Sequence, residues 1–357
     1  MQLKPTKPHY LILDGLRGVA AILVVIYHLL EAIFWENLST HPVRHGYLAV
    51  DFFFLLSGFV VGYAYDDRWG PMTVWQFFRI RLTRLHPLVI IGVIIGAVGF
   101  YFDPFTNGMS HTRLWQLIGV SLIAMTLLPQ PDIRGWGETH VLNGPSWSLL
   151  QEYIGNILYG LFVRKFSKPM LWILVLVCAG ALVWLGSWRE HLGTGWSYDT
   201  FYIAVIRMLF PFFAGLLLFR TSKMIKVPMA FQVSAALLLV LFLLPWGGKY
   251  NGLLEVAIII IGFPLVIAIG AGGGVSGFWK KICKFAGDIS YPIYITHYPF
   301  IYIYTAWIAV KKPTRAEIMP VAVMGFLFCM LLAYLALKLY DEPVRAWLKK
   351  RFLKFRT

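Results

Sequence analysis

The sequence predicts an all-α protein that crosses a membrane many times. Only 14% of its 357 residues are charged, 59% are hydrophobic and the mean hydropathy is +0.68, whereas a soluble domain is about 25% charged. The 32 Lys and Arg residues outnumber the 17 Asp and Glu residues, and the basic residues cluster in short loops between apolar segments. This clustering is typical of the cytoplasmic loops of membrane proteins. We therefore read the net charge of +15 as a sign of membrane orientation and expect no nucleic acid as a partner.

Eleven apolar segments have close to the length of about 20 residues that a transmembrane helix needs. The loop charges predict ten transmembrane helices with both termini cytoplasmic. Counts of crossings from the two ends of the chain agree only if 113–128 does not cross, so we expect that segment to be re-entrant or to lie along the outer face. The alternative is that a different, weakly apolar segment fails to cross. The segments are 17–30, 46–65, 85–102, 113–128, 147–163, 170–187, 200–219, 229–246, 252–271, 289–310 and 318–339.

The chain is expected to form a single membrane domain over residues 1–357. No stretch has the composition of a soluble domain, and the glycine-rich Gly270–Gly277 reads as a short flexible connection because it lacks the Lys-Ser/Thr of a phosphate-binding loop. The three cysteines lie in or beside apolar segments without metal-ligand spacing. We therefore expect neither a disulfide framework nor a metal site.

Arg17 and His28 accompany the first apolar segment and are 11 residues apart. In an α-helix this spacing places both side chains on one face, about 16 Å apart along the axis. Ionisable residues in a membrane helix are costly and usually face the protein interior. A histidine can take a proton from a hydroxyl, and an arginine can bind a phosphate or a carboxylate. The alternative is a snorkelling arginine at one interface and a hydrogen-bonded histidine at the other.

The second apolar segment contains Asp51 and Ser57. A membrane aspartate is a functional candidate. The alternative is that Asp51 caps the start of a helix near the outer interface. Ser57, which precedes Gly58, is expected to permit close helix packing rather than to act as a nucleophile.

Arg81 and Arg84 are three residues apart and share a helical face. They are either a positive anchor in a cytoplasmic loop or a clamp for the phosphates of a cytoplasmic cosubstrate. Glu152 lies inside a later span and needs a partner, either an arginine or His28 as its orienting carboxylate. Trp147 is expected in an interfacial aromatic belt.

Two motifs lie late in the chain. His297, with Tyr291 nearby, is predicted eight residues inside the span 289–310, where a core histidine bonded to a neighbouring helix is the main interpretation. Asp341-Glu342-Pro343 is expected to end the last helix.

These motifs, in this order, resemble those of the acyltransferase-3 family, whose members O-acylate bacterial surface carbohydrates. The opening LDGLRGVAAILVVIYH contains Asp14, Arg17 and His28. It is followed by GYLAVDFFFLLSGF, FFRIRLTRLHP, WSLLQE, SYPIYITHYP and DEP, so the resemblance extends from Leu13 to about Pro343.

The resemblance implies a ten-helix domain in the bacterial inner membrane. It implies acyl-CoA, usually acetyl-CoA, as the cytoplasmic donor, and a sugar hydroxyl of a carbohydrate or glycolipid on the far side as the acceptor. Arg17 and His28 would be essential, His28 acting as a general base or carrying the acyl group itself. Some members have a fused periplasmic esterase-like domain. We expect none here, so the chain would complete the transfer or pass the group to a separate protein.

A different class of function also fits the polar residues. A glycolipid transporter or flippase could use Arg17 and His28 for proton coupling. It would act without acyl-CoA.

Overall fold

The computed structural model describes residues 7, 9–34, 37–106 and 112–353. These residues form helices joined by loops, and their extended pairings are limited to isolated bridges. Within this part of the chain, seven helices are long and apolar enough to cross a membrane. The prediction of an all-α, multi-pass membrane protein is therefore confirmed. The count of ten spans and the cytoplasmic location of the termini stay predictions.

The helices are α1 (Leu11–Phe34), α2 (Ala49–Tyr65), α3 (Val74–Tyr101), α4 (Leu114–Ala124), α5 (Ser146–Leu161), α6 (Lys168–Trp188), α7 (Phe201–Thr221), α8 (Ala230–Leu243), α9 (Gly248–Gly272), α10 (Gly277–Thr296), α11 (Tyr298–Lys311), α12 (Arg315–Leu335) and α13 (Glu342–Phe352).

The helix α4 lies in the segment 113–128. Its 11 residues span about 16 Å, roughly half of the hydrocarbon thickness of a bilayer. As a straight helix it is too short to cross. This length agrees with the prediction for 113–128, although the placement of α4 relative to a bilayer stays a prediction.

The helix α3 begins at Val74, well before the predicted start at residue 85. A capping box sets this start: the Thr73 hydroxyl accepts from the Gln76 N–H (3.2 Å), and the Gln76 side chain accepts from the Thr73 N–H (2.8 Å). Arg81 and Arg84 therefore lie inside a helix and not in a loop before it.

The predicted span 289–310 is wrong as a single helix. The helices α10 and α11 meet at His297, so this residue lies at the junction of two helices. Pro299 has no N–H to donate to the carbonyl of Ile295. The Asn143 side chain donates to that carbonyl instead, at 2.8 Å.

Asp341-Glu342-Pro343 does not end the last helix, contrary to expectation. The helix α12 continues through a π-helical turn (Ala336–Asp341) into α13. Pro343 comes directly after this π-helical turn, so its missing N–H falls where the regular α-helical ladder of hydrogen bonds is already interrupted.

Two parallel helix pairs organise the molecule, α1 with α10 and α2 with α7. A Cβ added to Gly18 of α1 would meet the backbone of Ala286 in α10, and one added to Gly58 of α2 would meet the carbonyl oxygen of Phe212 in α7. Glycine is thus required for the close approach of the backbones. The parallel directions agree with those that the loop charges predict for the corresponding spans.

Candidate active site

Arg17 holds α1 against α10. Its Nε donates to the Ser290 hydroxyl (2.8 Å), and one terminal nitrogen donates to the carbonyl of Gly287 (2.9 Å). The Asp14 carboxylate lies 3.3 Å from the same guanidinium group. Arg17 is therefore positioned by α10 and partly neutralised by Asp14, at the end of the molecule where α1 begins.

Glu152 of α5 is the partner of Arg81 of α3. Its Oε1 lies 2.8 Å from a terminal nitrogen of Arg81 and accepts from the Ser57 hydroxyl at 2.7 Å. Two partners were considered for Glu152, an arginine and His28. The structure shows the pair with an arginine, Arg81, and His28 pairs with Glu31 instead. Ser57 serves as a donor to this carboxylate, so three helices meet at one ion pair.

Arg84 differs from its neighbours because its charge is not paired. The side chain is half-buried, and among the described residues it has neither a hydrogen bond nor an ion pair. The positive charges of Arg81 and Arg17 act on it, and Asp14 is close enough to oppose them. This cluster of Arg17, Arg81 and Arg84 therefore has an excess of positive charge inside the helical bundle, suited to an anionic ligand.

His28 lies at the opposite end of α1, half-buried, and is paired with Glu31. Its Nδ1 is 2.8 Å from the Glu31 carboxylate, which also accepts from the Tyr27 hydroxyl at 2.9 Å. A carboxylate only accepts, so Nδ1 carries the proton and Nε2 keeps its lone pair. The sequence analysis missed Glu31. Its spacing of three residues from His28 on the same helix was the available signal.

His297 stacks on His28. The ring centroids are 5.5 Å apart and the planes are inclined by 26°. The Nδ1 of His297 lies 2.9 Å from the carbonyl of Ile293 in its own helix, and its buried Nε2 has no partner within the described residues. The expected bond to a neighbouring helix is therefore wrong: the interhelical contact is the stack on His28.

Arg17 and His28 both face the α10–α11 unit, as their spacing predicts. Tyr298 of α11 packs edge-on against His28 at 4.9 Å. Tyr291 of α10 is not part of this contact, because its hydroxyl donates to the carbonyl of Leu85 in α3 (2.9 Å). Tyr291 thus fixes α10 against α3.

Asp51 forms a buried ion pair with Arg207 of α7. The Nε of Arg207 is 3.2 Å from one carboxylate oxygen, and a terminal nitrogen bonds the other. Asp51 is fully buried and lies in the first turn of α2, where a carboxylate also stabilises the start of the helix. The functional interpretation and the capping interpretation of this residue both stay predictions. Trp147 is only 7% exposed and lies under the Arg207 guanidinium, 5.5 Å from ring centroid to Cζ, so it is not part of an interfacial belt.

No group of three His, Cys, Asp or Glu side chains with the geometry of a metal site occurs in the described ranges. The cysteines Cys178, Cys283 and Cys329 are buried and unpaired with one another.

The helical fold, with seven long apolar helices among the described residues, is that of a multi-pass membrane protein. The chain belongs to the acyltransferase-3 family: the family's sequence model, described as an acyltransferase domain, matches residues 10–354. Together with relatives named as acyltransferases, this membership identifies the protein as an O-acyltransferase.

Three relatives illustrate the family. Protein 2 in the picA locus of Rhizobium radiobacter is 30% identical over 49% of this chain and 93% of its own length. Acyltransferase MdmB of Streptomyces mycarofaciens is 30% identical over 48% of this chain and 44% of its own. Peptidoglycan O-acetyltransferase OatA of Listeria monocytogenes is 24% identical over 93% of this chain and 55% of its own. The chain thus spans about half the length of the latter two. No solved structure matches, and the relatives give no support to the transporter interpretation.

Proposed function

We propose that the protein transfers an acyl group, in the simplest case acetyl, from cytoplasmic acyl-CoA to a hydroxyl of a carbohydrate or glycolipid beyond the bacterial inner membrane. The observation that carries this proposal is the His28–Glu31 pair, which leaves Nε2 of His28 free to accept a proton. The name of the OatA relative, which matches most of this chain, supports a carbohydrate acceptor.

The donor site is assigned to Arg17, Arg81 and Arg84. Coenzyme A carries several phosphate charges, and guanidinium groups bind phosphate oxygens through paired hydrogen bonds. Arg81 and Arg17 are already partly neutralised by Glu152 and Asp14, so the unpaired Arg84 is the strongest candidate for a phosphate contact.

The chemistry assigned to His28 is general-base catalysis. Its Nε2 takes the proton of the acceptor hydroxyl while the hydroxyl oxygen attacks the thioester carbonyl. The carbon–sulfur bond then breaks, and the proton passes from His28 to the departing thiolate to give free CoA. Glu31 stabilises the imidazolium that exists between these two proton transfers.

A covalent version uses the same residue differently. Here Nε2 attacks the thioester carbonyl and CoA leaves as the thiolate. The acceptor oxygen then displaces the imidazole from the acyl carbon, and the hydroxyl proton is released to solvent, from which the thiolate takes up a proton. Incubation of the purified protein with acyl-labelled acetyl-CoA, followed by rapid quenching, separates the versions. Label on the peptide containing His28 in the absence of acceptor would support the covalent one, and its absence under turnover conditions would support direct transfer.

The proposed function is tested with inside-out membrane vesicles from cells that express the chain, because these vesicles present the cytoplasmic face to the medium. Acetyl-CoA labelled in the acetyl group is added, and the label in the carbohydrate fraction is measured. We expect incorporation with the wild-type protein and none above background with His28→Ala. Equal labelling by the two proteins would refute the role of His28, and a wild-type protein that acylates without consuming acyl-CoA would refute the donor.

A further inference from the structure

The loop 129–145 places a second polar group near His28. This group comprises Arg134, Trp136 and Glu138 from the loop, together with Tyr302 of α11. None of them belongs to the motifs that carry the family resemblance. They lie at the end of the molecule where α1 ends, which the loop charges predict to be the outer side.

Hydrogen bonds hold the loop in one conformation. The Asp132 carboxylate accepts from the N–H groups of Arg134 (3.0 Å), Gly135 (2.9 Å) and Gly137 (2.6 Å). Gly135 and Gly137 have φ angles of 75° and 73°, which glycine adopts without strain. The loop is therefore pre-organised, which lowers the entropic cost of binding a ligand.

A second loop fixes the position of the first. The Thr139 N–H donates to the carbonyl of Trp196 (3.0 Å), and the Tyr198 N–H donates to the carbonyl of Gly137 (2.9 Å). The two loops thus form one surface, from which Trp136 and Trp196 project with exposed fractions of 45% and 42%.

Glu138 and Arg134 have free hydrogen-bonding capacity. Glu138 is only 7% exposed and one carboxylate oxygen accepts from the Tyr302 hydroxyl, while its Oε1 has no partner among the residues that the structure describes. The Arg134 guanidinium lies 3.7 Å from the Tyr302 ring centroid, and its Nε donates to the carbonyl of Val141 (2.6 Å). No described side chain pairs with its terminal nitrogens.

Two tyrosines link this group to the base. The Tyr298 ring is 4.9 Å from the His28 ring and 4.7 Å from the Tyr302 ring. The distance between the ring centroids of Tyr302 and His28 is therefore at most the sum of these two distances. Glu138 in turn bonds directly to Tyr302.

We propose that Trp136, Glu138 and Arg134 form the acceptor subsite and bind a pyranose ring. The indole of Trp136 stacks on the apolar face of the ring, Oε1 of Glu138 accepts a hydrogen bond from a ring hydroxyl, and a terminal nitrogen of Arg134 donates to a ring oxygen. Aromatic stacking beside a few fixed polar groups is typical of small-molecule sites. The bound ring presents another of its hydroxyls to His28. This inference rests on the proposed function, which it deepens by assigning the acceptor residues.

The test uses the same inside-out vesicles, with the native membrane carbohydrate as acceptor and acyl-labelled acetyl-CoA as probe. The variants are Trp136→Ala and Glu138→Gln, and Trp188→Ala is the matched control because Trp188 is exposed to a similar extent, 50%, but lies on α6. We expect label in the carbohydrate to fall at least tenfold in Trp136→Ala, to fall by less in Glu138→Gln, whose amide oxygen can still accept a hydrogen bond, and to stay within twofold of wild type in the control.

A second measurement separates loss of the acceptor subsite from loss of the fold. Thermal stabilisation of each purified protein by CoA reports donor binding, and we expect it to be unchanged in Trp136→Ala. Normal labelling by Trp136→Ala would overturn the inference, as would a joint loss of labelling and of CoA stabilisation in that variant. If Glu138→Gln fails to fold, the labelling by Trp136→Ala still tests the inference, because Trp136 is exposed and its replacement leaves the core unchanged. A wild-type protein that neither labels carbohydrate nor binds CoA would instead refute the proposed function.

Discussion

His28 and Glu31 lie one turn apart on α1, with 2.8 Å between the imidazole Nδ1 and the carboxylate. The carboxylate accepts a hydrogen bond from the Nδ1–H group and thereby selects the tautomer with a free lone pair on Nε2. The same carboxylate is held by the Tyr27 hydroxyl. The proposed base is therefore oriented within a single helix and does not depend on a carboxylate from another helix.

Replacement of Glu31 by glutamine should lower the rate of acyl transfer at least tenfold. The amide oxygen can still accept from Nδ1, but it lacks the charge that stabilises the imidazolium. The rate is measured as label transferred to carbohydrate at saturating acetyl-CoA. Glu190→Gln, which changes an exposed carboxylate, is the control, and a Glu31→Gln protein as fast as this control would contradict the orienting role.

Removal of the His28 imidazole should lower the rate of acyl transfer more than Glu31→Gln does. We expect His28→Ala to lose roughly 10² to 10⁴ in the transfer rate, the usual contribution of a general base, and to retain stabilisation by CoA. His9→Ala, at a histidine whose side chain is 81% exposed, should keep the wild-type rate. The role of His28 would be untenable if both variants transferred acetyl groups equally well.

Arg84→Met should weaken CoA binding by roughly 10- to 150-fold, because a charge-assisted hydrogen bond contributes about 1.5–3 kcal/mol and every 1.4 kcal/mol is a factor of ten. It should not lower the melting temperature measured without ligand, since it removes a positive charge that lies near two others. Arg79→Met is the matched control on the same helix, where Arg79 bonds the carbonyl of Phe352. Unchanged CoA affinity in Arg84→Met would refute its assignment to the donor site.

The buried pair of Asp51 and Arg207 predicts a stability effect. Arg207→Met leaves the Asp51 carboxylate buried without its partner and should lower the free energy of unfolding by about 3–5 kcal/mol. The double variant Asp51→Asn/Arg207→Met should recover part of this loss. Both are measured by thermal unfolding in detergent, and a double variant no more stable than the single one would show that the pair is not the cause.

Stability should also depend on the protonation of Glu138. Burial raises its pKa from 4.5 to about 7, and the charges of Asp132 and Glu31 act in the same direction, while the Tyr302 hydroxyl and Arg134 lower it. The folded state therefore prefers the protonated carboxyl, and its stabilising effect is lost as the pH rises from about 4.5 to about 7. The loss amounts to about 3 kcal/mol at most.

We accordingly expect the melting temperature to fall between pH 5 and pH 8 by less in Glu138→Gln than in the wild-type protein. His140, close to Glu138 in the same loop, acts in the opposite direction, because burial lowers its pKa from 6.5 to about 4 and its contribution to stability therefore rises as the pH increases from about 4 to 6.5. This contribution is common to both proteins, so the difference between them reports Glu138. Equal falls in the two proteins would contradict the assignment to Glu138.

The features that depend on helical spacing could be predicted from the sequence. The common face of Arg17 and His28 follows from 11 residues at 100° each, and the class of fold follows from composition. The choice of Arg81 as the partner of Glu152 depends on how three distant helices pack, which spacing cannot determine.

Other site residues lie where periodicity carries no information. Arg207 pairs with a residue 156 positions away, and Arg134 and Glu138 acquire their positions from a loop held by Asp132. The junction at His297 depends on a side chain, Asn143, that satisfies a carbonyl from another part of the chain. Such relations are visible only once the tertiary structure is known.

The parallel pairing of α1 with α10 joins parts of the chain that are synthesised far apart in time. Arg17 and Ser290 are separated by 273 positions, so α1 must wait in the bilayer for most of translation before its partner is made. Such long-range contacts form late in folding. The polar face of α1 therefore lacks its final contacts until α10 has been synthesised. A ribosome that stalls before residue 297 would therefore leave an inserted but inactive chain, with Arg17 and His28 unpaired from α10 and α11.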